Sequence, residues 1–283
     1  MSEKIKKYLK KFLLSVILFL VIFIVLFYIL NLDFSPNKNS IVTDGEKEAT
    51  SVAKNNDIST RLGSTTFSIE TYSEWKNRNG LNDSNSGLDD DPDKDKLPNY
   101  LEYVHGTNPL NSDTDGDAYS DKQEIINGYD PDAPGEAKPF VEIKISKINI
   151  AAPVVWSKSD KEDDMLKDLE NGINHYPKTA SFGQNGNSVV SGHSSNYLWA
   201  KGDYNHIFKN LNDLEIGDII VAKTIQANGR VIIYQYRVSD KFITSPDDER
   251  IFAPANGPVL TLSTCWPIGT TYNRLIIKTE LVK

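Results

Sequence analysis

The feature that most constrains this chain is a segment that occurs twice. Asp91-Pro92-Asp93-Lys94-Asp95-Lys96-Leu97-Pro98-Asn99-Tyr100-Leu101-Glu102 is matched by Asp113-Thr114-Asp115-Gly116-Asp117-Ala118-Tyr119-Ser120-Asp121-Lys122-Gln123-Glu124. The copies end alike, in Gly106-Thr107-Asn108-Pro109 and Gly128-Tyr129-Asp130-Pro131, at a constant offset of 22 residues. A repeat that short is one small structural unit. Carboxylates fall at loop positions 1, 3 and 5 (Asp91, Asp93, Asp95; Asp113, Asp115, Asp117), with Asn99 or Asp121 at position 9 and Glu102 or Glu124 at position 12. That is the ligand order of a calcium loop: a hard cation takes about six to eight oxygens, and alternate residues of a curled loop point inward at it. Leu97 and Tyr119, at position 7, would offer backbone carbonyls. Without a cation, the three aspartates of each loop repel one another. An EF-hand wants Gly at position 6, where this chain has Lys96 and Ala118. A solvated acidic linker is the plain alternative, but it has no reason to repeat in register. Lys94 and Lys96 dilute the first loop, so the second is expected to bind calcium more tightly.

Charge is segregated around this segment. The chain of 283 residues has 31 Lys+Arg against 39 Asp+Glu, a net of −8. Residues 83–136 alone carry 15 acidic side chains and 3 lysines, whereas residues 139–283 hold 16 of each sign. The acidic balance argues against a nucleic-acid partner. A single Cys excludes a disulfide framework and any multi-cysteine metal site.

Residues 1–11 carry five lysines and one glutamate, and Phe12–Leu32 follows as 21 residues with only Ser15 and Asn31 polar. As a helix at ~1.5 Å per residue that run spans roughly 31 Å, enough to cross a bilayer. The lysines place residues 1–11 in the cytoplasm and the rest of the chain outside. A cleaved signal peptide would have a shorter apolar core and a small-residue site, which Ile29-Leu30-Asn31-Leu32-Asp33-Phe34 lacks. Residues 33–66 are polar and read as a flexible tether. Residues 67–136 then hold a short helix, within 67–81, and the two repeats, which are expected to stiffen the stalk and set the height of the last domain above the membrane.

From 139 to 283 the texture is β. Runs at 141–150, 188–191, 218–223, 231–238, 259–264 and 275–281 are separated by turn residues such as Asn185-Gly186-Asn187 and Asn228-Gly229, with short helices expected at 163–169 and 206–211. A mainly β domain, plausibly a closed barrel, is the expectation. Cys265 ends one apolar strand, His193 follows another, and Arg274 opens the last. A thiol of pKa ~8.5 is only a few per cent ionised at neutral pH. A nearby imidazole and guanidinium favour its thiolate, and Arg can donate to a developing oxyanion. Thr264 has two readings, a hydroxyl beside that oxyanion or a buried strand residue. Trp266 likewise either lines a substrate groove or packs the loop between the last strands. His105, His175 and His206 read as repeat-surface, loop and helix-face residues.

At these residues the sequence resembles a family. Thr261-Leu262-Ser263-Thr264-Cys265 with Arg274 nine residues on, and Gly192-His193 about 70 residues before, look like a sortase. Ile145-Ser146-Lys147-Ile148-Asn149-Ile150, His175-Tyr176-Pro177 and Leu214-Glu215-Ile216-Gly217-Asp218 support it, and Cys265-Trp266-Pro267-Ile268-Gly269-Thr270 resembles class D or E members. The repeats resemble bacterial thrombospondin type 3-like repeats. The resemblance implies an eight-stranded sortase-type β-barrel on a membrane anchor, with His193, Cys265 and Arg274 catalytic and no cofactor for the chemistry. It implies that Cys265 attacks a Thr–Gly-type bond in the sorting signal of a surface protein, that His193 protonates the leaving amine, and that Arg274 holds substrate and oxyanion. An amine on the cell wall or on another protein then resolves the thioester. Papain-like and caspase patterns fit poorly, because the Cys follows the His and no Q-A-C-x-G is present. The remaining alternative is a calcium-dependent surface binding or adhesion protein with a non-catalytic barrel.

Overall fold

The computed structural model describes residues 66–67, 70–197 and 199–282. The proposed membrane helix at 12–32, the cytoplasmic segment and nearly all of the tether lie outside the described residues. No helix among the described residues is long and apolar enough to cross a membrane.

The C-terminal domain is a closed eight-stranded barrel. Its strands are β2 (Phe140–Ile145), β3 (Ile150–Trp156), β4 (Ile173–His175), β5 (Gly186–Ser191), β6 (Ile219–Ile225), β7 (Val231–Thr244), β8 (Pro258–Trp266) and β9 (Asn273–Leu281). They pair in the order β7-β6-β2-β3-β4-β5-β8-β9, and β9 returns to β7. β7 can serve both edges because it is 14 residues long and its register shifts between Val238 and Asp240. Its first half pairs with β6 and its second half with β9. A two-residue strand, β1 (Thr66–Phe67), adds to β7 at Ile232 and Ile233, so the tether ends one residue earlier than its composition suggests.

Period-two alternation fills the barrel. Val141, Ile143 and Ile145, Ile150, Ala152 and Val154, Ile220 and Ala222, Leu260 and Leu262, and Leu275 and Ile277 form one buried cluster. Gly183 shows how tightly it closes. Its φ is +78°, a side chain there would meet the Tyr234 ring at 2.2 Å, and its N–H donates to the Tyr236 hydroxyl at 2.7 Å.

Two expectations change here. The run 141–150 is not one strand: it is β2, a 3-10 turn at Ser146–Ile148 and the start of β3. Pro153 masked β3 in the sequence, yet β3 is an inner strand, in register with Glu142 of β2. Residues 206–211 are a run of turns rather than a helix, followed by a 3-10 turn at Leu211–Asp213. The expected helix at 163–169 is present as α4, Glu162–Asp168.

Three helices precede the barrel: α1 (Tyr72–Arg78), α2 (Asn99–His105) and α3 (Asp121–Asn127). Thr71 opens α1 and Ser120 opens α3 with capping boxes, and Gly106 and Gly128 end α2 and α3 in the left-handed conformation. Tyr72, Trp75, Leu81 and Tyr103 make a small core of their own. The module is docked on the barrel rather than strung before it. Val104 enters the barrel's buried cluster. Asp130 accepts from the Ala227 N–H at 2.7 Å, and Lys138 lies 3.7 Å from the Tyr129 ring centre and 5.3 Å from that of Trp156. Glu70 pairs with buried Arg230 at 3.3 Å. His105 is therefore an interface residue, 7% exposed and beside Gln226, not a surface one.

Removing one partner of a buried ion pair costs about 3–5 kcal/mol. Glu70→Ala is accordingly expected to lower stability by about 3 kcal/mol in urea unfolding. A change under ~0.5 kcal/mol, the scale of an ordinary surface substitution, would show that the docked pair contributes little.

Candidate active site and repeat loops

The strand register assembles the candidate active site. β5 and β8 run parallel with Ser191 opposite Ser263, and β8 and β9 run antiparallel with Cys265 opposite Arg274. Extending the first register by two residues sets His193 beside Cys265. The extension is anchored by Gly192, whose N–H donates to the Ser263 carbonyl at 3.2 Å and whose carbonyl accepts from the Thr264 hydroxyl at 2.7 Å. His193, Cys265 and Arg274 thus form one row across three neighbouring chain segments. Leu260, Leu262 and Leu275 point into the barrel, so the alternating Cys265 and Arg274 lie on its outer face. All three are partly exposed.

Each member of the row is held. A Cβ on Gly192 would come within 2.7 Å of Phe208, so only glycine lets the chain pass there to present His193. The His193 carbonyl accepts from the Phe208 N–H at 2.9 Å. Asn196 Nδ2 approaches His193 Nε2 at 3.4 Å and donates to Asn205 at 2.8 Å, and Asn205 in turn binds the carbonyls of residues 200–202. Arg274 Nη1 donates to the carbonyls of Thr271 and Asn273, both at 3.1 Å. The loop after β8 is tied to the loop after β5 by the Gly269 N–H, which donates to Ser195 Oγ at 2.9 Å.

Thr264 is 3% exposed with its one hydroxyl proton given to Gly192, which is the buried-strand reading of that residue. Trp266 packs against the barrel's core cluster. Asn196, Ser195 and His206 carried no signal in the sequence; their roles depend on how the loop after β5 folds back.

Burial, and next the charge of His206, push the His193 imidazole below its ordinary value. It is therefore neutral at pH 7 and able to accept a proton. The unfolded ring takes up its proton near pH ~6.5 and the folded ring only at lower pH. The residue thus imposes no stability cost above that value, and a growing one as the pH falls through the window below it. An NMR titration should find His193 below 6.5, and His206→Asn should move it upward. A midpoint at or above 6.5 in the parent protein would contradict this.

The repeat loops keep their 22-residue register atom by atom. Asp91 Oδ1 accepts from Lys94 N and Oδ2 from Lys96 N, at 2.8 and 3.0 Å. Asp113 does the same with Gly116 N and Ala118 N, each at 2.8 Å. Positions 4 and 6 are left-handed in both loops, with Lys94 at φ 68°, Lys96 at 74°, Gly116 at 81° and Ala118 at 79°. The missing Gly at position 6 therefore does not prevent the curl. Non-glycine residues in that region carry strain of order 1–3 kcal/mol each and persist where surrounding bonds fix them.

Asp91, Asp93 and Asp95 each present an oxygen within 4.8 Å of the others, and so do Asp113, Asp115 and Asp117. Buried oxygens without a hydrogen-bond partner belong to these loops: Asp93 Oδ2, Glu102 Oε1, Asp115 Oδ2 and both oxygens of Glu124. Burial first, then neighbouring carboxylates, pushes Asp93 up to about 6, Glu102 up to about 9 and Glu124 up to about 8. The donor set fits a hard cation, because buried carboxylates sharing a loop need a positive charge among them to stay ionised. The position-9 residues serve the fold: Asn99 donates to the carbonyls of Asn85 and Gly87, and both Asp121 oxygens accept from Thr114. Leu97 is buried and Tyr119 is 59% exposed.

Residues 143–282, just under half of the chain, match the family model described as the sortase domain. No curated relative matches the chain. Among solved structures, it is similar to a Clostridium perfringens sortase D5 transpeptidase, with 28% identity over 52% of this chain and 80% of that one, at a TM-score of 0.41. It is also similar to sortase C-1 from Actinomyces oris, with 25% identity over 50% and 73% of the two chains, at 0.41. A lid mutant of sortase A from Corynebacterium diphtheriae aligns at 24% identity over 52% and 73%, at 0.41. The family match, together with the barrel, assigns residues 143–282 as a sortase domain.

Proposed function

Starting from a sortase domain, and so from a cysteine transpeptidase, we propose that the protein cleaves a C-terminal sorting signal through a thioester on Cys265 and passes the cleaved protein to an amine on the cell surface. The Cys265 thiol gives its proton to neutral His193, and the sulfur adds to the carbonyl carbon of a Thr–Gly-type bond. Arg274 donates to the oxygen as it gains charge. The C–N bond then breaks, and His193 returns the proton to the leaving amine. An acceptor amine adds to the thioester, the C–S bond breaks, and the thiol is regenerated. The observation that carries this reading is the single row of His193, Cys265 and Arg274 on the outer face.

The finer features belong to the same proposal. Phe12–Leu32 anchors the chain with residues 1–11 in the cytoplasm and the catalytic domain outside, where sorting-signal proteins and wall amines are reached. The Cys-Trp-Pro-Ile-Gly-Thr stretch favours a class D or E-like member. The two loops are thrombospondin type 3-like calcium sites, held by Asp91, Asp93, Asp95 and Glu102 and by Asp113, Asp115, Asp117 and Glu124. Asn99, Asp121 and the carbonyls of Leu97 and Tyr119 complete the sets. Calcium has a structural role there and none in the chemistry. Because the module is docked on the barrel, its loops brace the domain itself rather than an extended stalk.

Mass spectrometry of a reaction with sorting-type peptides should trap an acyl adduct on Cys265, absent in Cys265→Ala. His193→Ala and Arg274→Ala should each lower the transfer rate by about 10²–10⁴. A wild-type rate in either variant would remove that residue from the mechanism. For calcium, a free concentration about 100 times the dissociation constant stabilises by about 2.7 kcal/mol per site. The melting temperature should therefore rise with calcium in the parent protein and rise less in Glu124→Gln. A calcium-independent melt would refute the site assignment.

A further inference from the structure

A buried hydrogen-bonded chain that the chemistry above does not use runs across the outer face of the barrel. It begins at Asp168, the last residue of α4. Ser157 Oγ donates to Asp168 Oδ2 at 2.6 Å. With its one proton spent, Ser157 accepts from Asn174 Nδ2 at 3.1 Å. The other end of that amide, Oδ1, accepts from Ser191 Oγ at 2.6 Å. Ser191 has then spent its proton as well, so its oxygen can only accept from the Tyr176 hydroxyl, to which it is hydrogen-bonded. The carboxylate end fixes the direction of every link, and all the protons point toward Asp168. Ser157 is 8% exposed and Asn174 is fully buried, so water does not compete for these bonds.

Strand geometry places the far end of the chain next to the catalytic row. Asn174 lies opposite Ser191, and Tyr176 N–H donates to the Val189 carbonyl at 2.9 Å. Asn174 and Tyr176 therefore share the outer face with Ser191, Ser263 and Cys265. The Tyr176 ring is edge-on to Phe252 at 5.0 Å, which limits its swing. Its oxygen feels the charges of both Arg274 and Cys265. Because its proton is committed to Ser191, that oxygen presents only lone pairs to the row, and Arg274 is the cation there. The Thr271 and Asn273 carbonyls engage Nη1 of the guanidinium.

We propose that Tyr176 is a positioning residue for Arg274: its phenol oxygen, oriented by the Asp168–Ser157–Asn174–Ser191 chain, is the groove-floor acceptor that keeps the guanidinium alongside Cys265. The proposal rests on reading Cys265 and Arg274 as the reacting thiol and its cationic partner. It requires that a change at Asp168, two strands away from β8, be felt at the thiol.

The test uses no sorting substrate. Cys265 is the only cysteine, so alkylation of the full-length protein by iodoacetamide, read as intact mass, reports one thiol. The S–C bond forms, iodide leaves, and the thiol proton goes to solvent. Tyr176→Phe keeps the ring and should slow alkylation at pH 7 by about three- to ten-fold, the scale of one hydrogen bond, with an unchanged melting temperature. Asp168→Asn should slow it in the same direction. The double variant should be no slower than Tyr176→Phe alone, because both act through one chain. Added to Arg274→Ala, Tyr176→Phe should do nothing further. Should Asp168→Asn fail to fold, Ser157→Ala cuts the same link. An unchanged rate in Tyr176→Phe, losses that multiply in the double variant, or a further loss on top of Arg274→Ala would each overturn the proposal. Normal alkylation behaviour with no acyl adduct from any sorting-type peptide would instead count against the transpeptidase reading and leave this one standing.

Discussion

Everything the site can do depends on one interaction, the register between β5, β8 and β9. A slip of one residue in any of these pairings would turn an entire set of side chains to the opposite face. Leu260 and Leu262 would leave the core and Cys265 would enter it. The buried cluster thus enforces the register, and the register places three chemically unrelated side chains, far apart in sequence, in a single row. The parallel β5–β8 pair has no hairpin to set it. Its alignment is fixed by core packing and by the hydrogen bond from Thr264 to Gly192.

This division explains what the sequence disclosed. Strands with clean alternation, such as β6 and β9, were legible because one face is apolar and the other is not. β3 was hidden by Pro153, and β4 has three residues, too few for any period to register. Both are defined by their neighbours, since β4 exists through its pairing with β3 and β5. Cys265, His193 and Arg274 could be selected only through a family resemblance, because each by itself has an ordinary structural explanation. Ser195, Asn196 and Tyr176 were beyond reach, as their positions follow from how loops fold back on the sheet.

The repeats were legible for the opposite reason. Their information is local, written in a 12-residue loop pattern and its copy. The local pattern also misled in one respect. Lys96 and Ala118 suggested an unfavourable loop, but the backbone is held left-handed by the carboxylate of the first aspartate, which accepts from the N–H groups at positions 4 and 6 in each copy. The side-chain bonds supply what a glycine would have supplied. What the local pattern could not reveal was docking: the chain reads as acidic stalk followed by neutral domain, yet Val104, Asp130, Glu70 and Lys138 join the two.

That docking gives the charge segregation a physical meaning. The acidic loops are separated from the groove by the barrel's own apolar interior, and residues 139–283 are balanced at 16 charges of each sign. The net −8 therefore describes the docked module rather than the surface around Cys265. Near the thiol the relevant charges are local: one guanidinium, one neutral imidazole, and the fixed dipoles of a hydrogen-bonded floor. Carboxylates are kept at a distance, the nearest in the chain of bonds being Asp168, reached only through Ser157, Asn174 and Ser191. A site that must favour a thiolate needs that arrangement, because a close carboxylate would raise the cost of ionising the sulfur, whereas a remote one can orient the hydroxyls between them without opposing the charge.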